Sequence, residues 1–262
     1  MTTLKRLLLW ISVGLAAAIF YHLNPTKQTS NTAPTAPAAA PDPDPDGMYS
    51  SWSSEWPSSD AEPAKLANNL LADNYLVVLD TSGSMNKKEC SGWETKFTVA
   101  REALKSFAAQ IPASANLAMA VFHELSARMV VPFGHGANHR AAFNQMVDNL
   151  AADGGTPLNG AITFAYAALT EQGRRQTGYG SYRLIVITDG VSGDGTPAPL
   201  AREIVEQSPV ELHVIGFCTG PDHSLNLPGV TRYYTADNPE QLAEGLKAVQ
   251  AETPDFTVTQ FQ

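Results

Sequence analysis

Three short segments of the chain carry oxygen-bearing side chains at points where strands are predicted to end or helices to begin. Asp80-Thr81-Ser82-Gly83-Ser84 directly follows the apolar run Tyr75–Leu79, and Thr188-Asp189-Gly190 directly follows the apolar run Leu184–Ile187. Gly154-Gly155-Thr156-Pro157 opens an amphipathic segment, with Thr156 predicted as the helix N-cap. Hydroxyl and carboxylate oxygens are hard donors, so these segments suit Mg²⁺ better than zinc or copper.

The elements around these segments alternate between strand and helix patterns. Continuous apolar runs predict parallel strands buried on both faces at Tyr75–Leu79, Leu184–Ile187 and, less purely, Leu212–Phe217. Asn116–His123 and Ala127–Phe133 predict a β-hairpin that turns around Glu124.

Amphipathic helices are predicted between the strands. Apolar side chains at spacings of three and four form stripes within Phe97–Ile111, Phe143–Leu150 and Ile162–Leu169. A last helix begins after Asn238, with Pro239 in its first turn. This alternation predicts one α/β domain: a doubly wound, mostly parallel open sheet with helices on both faces. Ligands of such sheets bind at the carboxyl ends of the strands, where the strand order reverses.

In combination, the three segments resemble the motifs of the von Willebrand factor type A (vWA) family, in its form with an intact metal-ion-dependent adhesion site. The resemblance covers about residues 74–251, with Asp80, Ser82 and Ser84 in the first motif, Thr156 in the second and Asp189 in the third. It implies that the three hydroxyls contact a divalent cation directly, while the two carboxylates act largely through water.

The resemblance also implies how such a site binds. The cation is usually Mg²⁺, with Ca²⁺ or Mn²⁺ as alternatives, and an exposed Asp or Glu of a protein partner completes its coordination. Neutral direct ligands leave the cation electrophilic, which favours an incoming carboxylate. The alternative is that Asp80 and Thr156 only cap helices and that Ser82 and Ser84 lie in a turn. One departure is Val191, where many relatives place an acidic residue.

The N-terminal part predicts a membrane anchor and a spacer. Lys5 and Arg6 precede an uncharged apolar run at residues 7–23, close to the shortest length that spans a bilayer. We favour an uncleaved anchor over a cleaved signal peptide, with the N-terminus inside and the domain on the extracytoplasmic (periplasmic) side. The predicted organisation is therefore anchor at 1–23, a Pro-, Ser- and Asp-rich linker at 24–67, the vWA domain at 68–252 and a tail at 253–262.

Several smaller features stay open or receive plain interpretations. Cys90 and Cys218 are either thiols or a disulfide, and a disulfide is favoured outside the cytosol. The loop Met85–Trp93 beside the site is either a specificity loop or a tolerated insertion. The linker aromatics Tyr49, Trp52 and Trp56 are expected to pack locally rather than dock a partner. His135 and His139 are read as a loop, and Gly193-Asp194-Gly195 as a turn.

Composition and motifs also exclude functions. With Lys and Arg numbering 17 against 26 Asp and Glu, the net charge of −9 argues against nucleic-acid binding. No nucleophile stands beside a recognisable base, so neither an enzyme nor a small-molecule substrate is predicted. The leading interpretation is a membrane-anchored module that captures an acidic residue of a partner protein through Mg²⁺. The alternative is a cytoplasm-facing scaffold or co-factor for an AAA+ ATPase or another multiprotein assembly.

Overall fold

The computed structural model describes residues 56–57 and 65–251, and it contains one mostly parallel sheet. The strands are β1 (Asp73–Leu79), β2 (Asn116–His123), β3 (Ser126–Gly134), β4 (Ser181–Thr188), β5 (Val210–Phe217) and β6 (Arg232–Ala236). Their order across the sheet is β3-β2-β1-β4-β5-β6. All neighbours pair in parallel except β2 and β3, which form the predicted antiparallel hairpin.

The helices are α1 (Lys96–Gln110), α2 (Gly136–Asn149), α3 (Leu158–Arg175), α4 (Ala198–Gln207) and α5 (Pro239–Ala251). A short 3₁₀ helix lies at Gly83–Asn86. Alternate residues of each buried strand face opposite sides, so β1 contributes to two hydrophobic layers. One layer joins it to α1, α2 and α5, and the other joins it to α3 and α4. The predicted doubly wound α/β sheet with helices on both faces is confirmed.

The strand order reverses between β1 and β4, which are adjacent and in parallel register. Leu79 pairs with Ile187 at the carboxyl ends of these strands. The residues that follow, Asp80 and Thr188-Asp189, are therefore brought to the same edge of the sheet.

Strand β6, helix α4 and the short 3₁₀ helix were not predicted, and one segment predicted as a loop is helical. Strand β6 carries no long apolar run, and the apolar stripe of α4, with Ala201 and Ile204 buried, is short. The segment that contains His139 is not a loop, because α2 already begins at Gly136. The His139 ring instead packs over Gly134, where an added Cβ would lie 2.5 Å from its Nδ1. His139 Nε2 also lies 2.7 Å from the carbonyl oxygen of Leu117.

Two other sequence interpretations are confirmed. Asn238 Oδ1 accepts a hydrogen bond from Gln241 N–H at 2.8 Å, which is the predicted cap of α5. Trp56 packs edge-on against Tyr182, with ring centroids 4.7 Å apart. The other linker aromatics, Tyr49 and Trp52, lie outside the described residues.

No helix in the described part is long and apolar enough to cross a membrane. The predicted anchor at residues 7–23, most of the linker and the predicted tail lie outside that part.

Helix α3 can approach the β2–β3 hairpin because residue 160 is glycine. A Cβ at this position would lie 2.3 Å from the Leu125 carbonyl oxygen, and the Gly160 carbonyl accepts a hydrogen bond from Ser126 Oγ at 3.2 Å. This contact fixes the first turn of α3 against the hairpin turn and the start of β3.

We therefore expect Gly160→Ala to lower the free energy of unfolding by about 1–3 kcal/mol, because the added methyl group overpacks the contact with backbone. The intrinsic preference of alanine for helix would predict the opposite sign. Chemical denaturation measures the change. Thr163→Ala, at an exposed position of the same helix, is the control and should shift stability by no more than about 0.5 kcal/mol. Stabilisation by Gly160→Ala would contradict the described approach of α3 to the hairpin.

Candidate metal centre

Asp80 links the ends of the two central strands. It is fully buried, and its backbone N–H donates to the Ile187 carbonyl at 2.9 Å, which continues the β1–β4 pairing. Its Oδ1 accepts a hydrogen bond from Ser82 N–H at 2.7 Å, and its Oδ2 accepts one from Thr188 Oγ1 at 2.7 Å. One carboxylate thus shapes the turn after β1 and holds it to the end of β4.

Burial raises the pKa of the Asp80 carboxyl above its ordinary value. The hydrogen bonds from Ser82 and Thr188 oppose this shift, while the nearby negative charge of Asp189 adds to it. The ionised site is therefore a concentration of negative charge that a cation would relieve.

Ser82, Ser84 and Asp189 form a continuous hydrogen-bonded chain. Ser84 Oγ donates to Asp189 Oδ1 at 2.7 Å, and Ser82 Oγ lies 2.9 Å from Ser84 Oγ. A hydroxyl has one proton, so Ser84, whose proton goes to Asp189, must accept the proton of Ser82. Both hydroxyl oxygens then retain lone pairs that can ligate a cation.

Thr156 is held beside this chain by backbone hydrogen bonds between the three segments. Gly83 N–H donates to Gly154 O at 3.0 Å, and Gly193 N–H donates to Thr156 O at 2.8 Å. A Cβ added at Gly190 would lie 3.6 Å from Thr156 Oγ1, so this hydroxyl lies against the segment that follows Asp189. The structure brings the three predicted segments together at one edge of the sheet.

The start of α3 differs from the prediction by one residue. Pro157, not Thr156, is the N-cap residue, and it provides no side-chain cap. The cap comes from Asp194, whose carboxylate accepts hydrogen bonds from Asn159 N–H at 3.0 Å and Gly160 N–H at 2.7 Å. The interpretation of Asp194 as only part of a turn was incomplete. Its spacing from α3 in sequence gave no signal of this contact.

Asp194 also receives a hydrogen bond from Ser192 Oγ at 2.7 Å. Partial burial opposes ionisation of this carboxyl, but the hydrogen bonds from Gly160, Ser192 and Asn159 together hold its pKa below the ordinary value. Asp194 thus fixes the loop after Asp189 to the first turn of α3, next to Thr156.

Lys96 is a charged neighbour of the site that the sequence analysis missed. Its side chain is only 6% exposed, and Nζ lies 2.5 Å from Asp189 Oδ2. Asp189 Oδ2 accepts no hydrogen bond of normal geometry from the described residues, so its contact with Lys96 is an ion pair and not a hydrogen bond. A lysine at the first position of a helix interacts unfavourably with the helix dipole, and this was the sequence signal that could have identified Lys96 as paired.

The loop between the 3₁₀ helix and α1 is fixed at several points. Cys90 forms a disulfide with Cys218, which directly follows β5, with Cα atoms 5.8 Å apart. Lys88 Nζ donates to the Trp93 carbonyl at 2.8 Å, and Ser91 Oγ donates to the Glu94 carbonyl at 2.8 Å. The Trp93 side chain is nevertheless 91% exposed. The loop therefore presents an indole to solvent from a fixed backbone.

His223 braces the third segment from the loop after β5. Its Nδ1 accepts a hydrogen bond from Leu225 N–H at 3.1 Å, so the neutral ring carries its proton on Nε2. That nitrogen lies 3.0 Å from the Gly190 carbonyl oxygen. Burial lowers the pKa of His223, and the bond to Gly190 opposes this shift only in part.

The donor set at this edge fits a hard divalent cation. Within residues 56–57 and 65–251, no group of three or more His, Cys, Asp or Glu side chains could hold a metal ion. A cation bound here would therefore have to draw on hydroxyl oxygens. Ser82 and Ser84 have lone pairs free for this, Thr156 lies beside them, and buried carboxylates supply the compensating charge.

Residues 75–192 match the family model described as the von Willebrand factor type A domain. Comparison with curated protein sequences found no match. Among solved structures, the pilus adhesin SpaC from Lactobacillus rhamnosus GG is similar with 17% identity and a TM-score of 0.57, covering 72% of this chain and 31% of that chain.

Two further solved structures are similar. A von Willebrand factor type A protein from Catenulispora acidiphila has 24% identity and a TM-score of 0.53, covering 69% of this chain and 42% of that chain. The PilB minor pilin from Streptococcus sanguinis has 15% identity and a TM-score of 0.53, covering 71% of this chain and 62% of that chain. These likenesses establish the fold, and this chain spans less than two thirds of the length of each relative.

Removing the cap on α3 should weaken the domain near the site. We expect Asp194→Ala to lower the free energy of unfolding by about 1 kcal/mol, since the first turn loses its acceptor. Because the pKa of Asp194 is lowered, its contribution is complete at neutral pH and is lost as pH falls through that value, below 3.8. Denaturation at pH 7 and pH 3 measures this. An equal difference between variant and wild type at both pH values would contradict the assigned role.

Reduction of the disulfide should also destabilise the domain. The two cysteines are 128 residues apart, so the bond constrains a long loop of the unfolded chain. We expect a reducing agent to lower the free energy of unfolding by about 2–5 kcal/mol. The double variant Cys90→Ser with Cys218→Ser is the control, since it should start from the lower stability and show no response to reductant. A wild type that is equally stable with and without reductant would show that the bond is absent or ineffective.

Proposed function

Because residues 75–192 match the family model of the von Willebrand factor type A domain, we propose that this chain is a membrane-anchored, Mg²⁺-dependent protein-binding module. It captures an exposed Asp or Glu of a partner protein at the edge of the sheet where β1 and β4 end. Ser82, Ser84 and Thr156 ligate the cation directly, and Asp80 and Asp189 act from the outer shell.

One observation carries this proposal: the hydrogen-bonded chain from Ser82 through Ser84 to Asp189. It holds two hydroxyl oxygens 2.9 Å apart and leaves lone pairs on both. Mg²⁺ takes octahedral coordination and retains several waters when few protein ligands are present. Three hydroxyl ligands leave positions that a partner carboxylate can fill by displacing water.

The same hydrogen bonds support binding rather than catalysis. The hydroxyls of Ser82 and Ser84 bond to each other and to Asp189, and no described histidine accepts their protons. A serine that gives its proton to a structural carboxylate is a poor nucleophile without a base beside it. The similar structures include a pilus adhesin and a minor pilin.

The Cys90–Cys218 disulfide supports an extracytoplasmic position. Disulfides persist in oxidising compartments and are rare in the bacterial cytosol. In our proposal residues 7–23 anchor the chain, residues 24–67 form the spacer, and the domain lies on the periplasmic side. The alternative, a cytoplasm-facing scaffold for an AAA+ ATPase, would place this bond in a reducing compartment, so the disulfide favours the first function.

The metal site can be tested on the full chain by thermal unfolding in Mg²⁺ and in chelator. A ligand that binds only the folded state stabilises it by about 2.7 kcal/mol at a concentration one hundred times its Kd. We expect Mg²⁺ to raise the Tm of the wild type, and Ser82→Ala with Ser84→Ala to abolish the increase. Ser106→Ala, at an exposed position of α1, is the matched control and should respond as the wild type does.

The same variants then test the protein-binding role. Crosslinking in native membranes should capture a defined partner in Mg²⁺ but not in chelator, and not with the double serine variant. If the Tm of the wild type is equal in Mg²⁺ and chelator, the metal site does not exist as proposed. If Mg²⁺ binds but capture is the same in both conditions, the site has another role and the partner-binding function is wrong.

A further inference from the structure

Lys96 is a buried ammonium group whose position needs an explanation. Its side chain is 6% exposed, and it lies 2.5 Å from Asp189 Oδ2 and 3.9 Å from Glu89 Oε2. Glu89 is 59% exposed and therefore well screened, whereas the Asp189 side chain is fully buried. A buried cation is costly unless it is paired, and the N-terminus of α1 adds an unfavourable dipole. Asp189 is thus the group that holds this charge in place.

The charges at this edge of the sheet can be counted. Two buried carboxylates, Asp80 and Asp189, and one buried ammonium, Lys96, leave a net charge of one negative. A divalent cation bound by the neighbouring hydroxyls would change that total to one positive. Without the lysine, the same cation would neutralise the two carboxylates and leave no net charge.

We infer that Lys96 couples the binding of the cation to the binding of the partner carboxylate. This inference rests on the metal-dependent function proposed above, and it assigns a specific role to a residue outside the ligand set. Lys96 weakens binding of the cation alone, because two positive charges then share a site of low dielectric. It strengthens binding of an anion to the loaded site, because the surplus positive charge is neutralised only when a carboxylate arrives.

The geometry explains why Lys96 acts in this way. Ser84 Oγ bonds to Oδ1 of Asp189, while Lys96 Nζ contacts Oδ2 of the same carboxylate. A single carboxylate thus separates the ammonium from the hydroxyl that would ligate the cation. At that separation, and with the Lys96 and Asp189 side chains buried beside the partly buried Ser84, the charges interact with reduced screening.

Lys105 provides a matched comparison on the same helix. It is also a lysine paired with carboxylates, at 2.7 Å from Glu102 and 2.9 Å from Asp148, but its side chain is 25% exposed and its partners are more exposed still. Removal of that charge should not affect the site. The difference between the two positions is burial and contact with Asp189, which is the basis of the inference.

The experiment titrates Mg²⁺ into the full chain by calorimetry, with and without acetate as the carboxylate probe and with chloride at equal ionic strength as the reference. For the wild type we expect acetate to tighten Mg²⁺ binding. For Lys96→Met we expect Mg²⁺ alone to bind at least about tenfold more tightly. The factor by which acetate tightens Mg²⁺ binding should be at least about threefold smaller than in the wild type.

Two further variants keep the test decisive. Lys96→Arg retains the charge, so acetate should tighten its Mg²⁺ binding by the same factor as in the wild type. Lys105→Met should change neither the Mg²⁺ affinity nor that factor. If Lys96→Met does not fold in chelator, Lys96→Gln is the second neutral variant, and the same tighter Mg²⁺ binding and smaller acetate effect are expected for it. Absence of any effect of acetate on the Mg²⁺ affinity of the wild type would overturn the inference.

The outcomes separate this inference from the proposed function. If the wild type binds no Mg²⁺, the metal-dependent function itself fails. If the wild type binds Mg²⁺ through Ser82 and Ser84, but Lys96→Met leaves affinity and linkage unchanged or weakens Mg²⁺ binding, then only the coupling role of Lys96 is wrong. Tighter Mg²⁺ binding together with reduced linkage in Lys96→Met supports the inference.

Discussion

The rest of the site depends on one buried carboxylate, Asp80, at the point where the strand order reverses. Burial of this group is unfavourable, as its raised pKa shows, and two hydrogen bonds from Ser82 N–H and Thr188 Oγ1 offset the loss of water. Those bonds fix the turn after β1 to the end of β4. The hydroxyls of the turn can approach Asp189 only because Asp80 holds both strand ends in this arrangement.

The parallel register of the two central strands explains why the sequence could predict so much. Strands β1 and β4 each contain a continuous apolar run that is followed at once by a polar motif, so pairing Leu79 with Ile187 brings Asp80 and Asp189 to one edge. Both faces of these strands are buried, so the point at which each apolar run ends, rather than an alternation of faces, marks where the polar motif begins. The hydrophobic pattern that predicts the strands therefore also determines where the site residues lie.

What the sequence could not predict involves contacts between distant elements. Lys96 begins a helix whose apolar stripe is clear, and nothing in that stripe shows that the lysine turns inward to Asp189. Asp194 stands between glycines, so its cap on α3 follows from the path of the loop and not from local pattern. Strand β6 is an edge strand with mostly half-buried side chains, and edge strands lack the continuous apolar run of central ones.

In the proposed function, every acidic partner makes the same contact between the metal and a carboxylate. That contact therefore cannot by itself distinguish one partner protein from another. Selection must then come from side chains that surround the metal and are free to contact a protein. Trp93 is free to contact a protein, since its side chain is 91% exposed while its backbone is fixed by Lys88 and its loop by the Cys90–Cys218 disulfide. An indole presented from a preordered loop loses little entropy on binding, which is the property of residues that dominate interfaces.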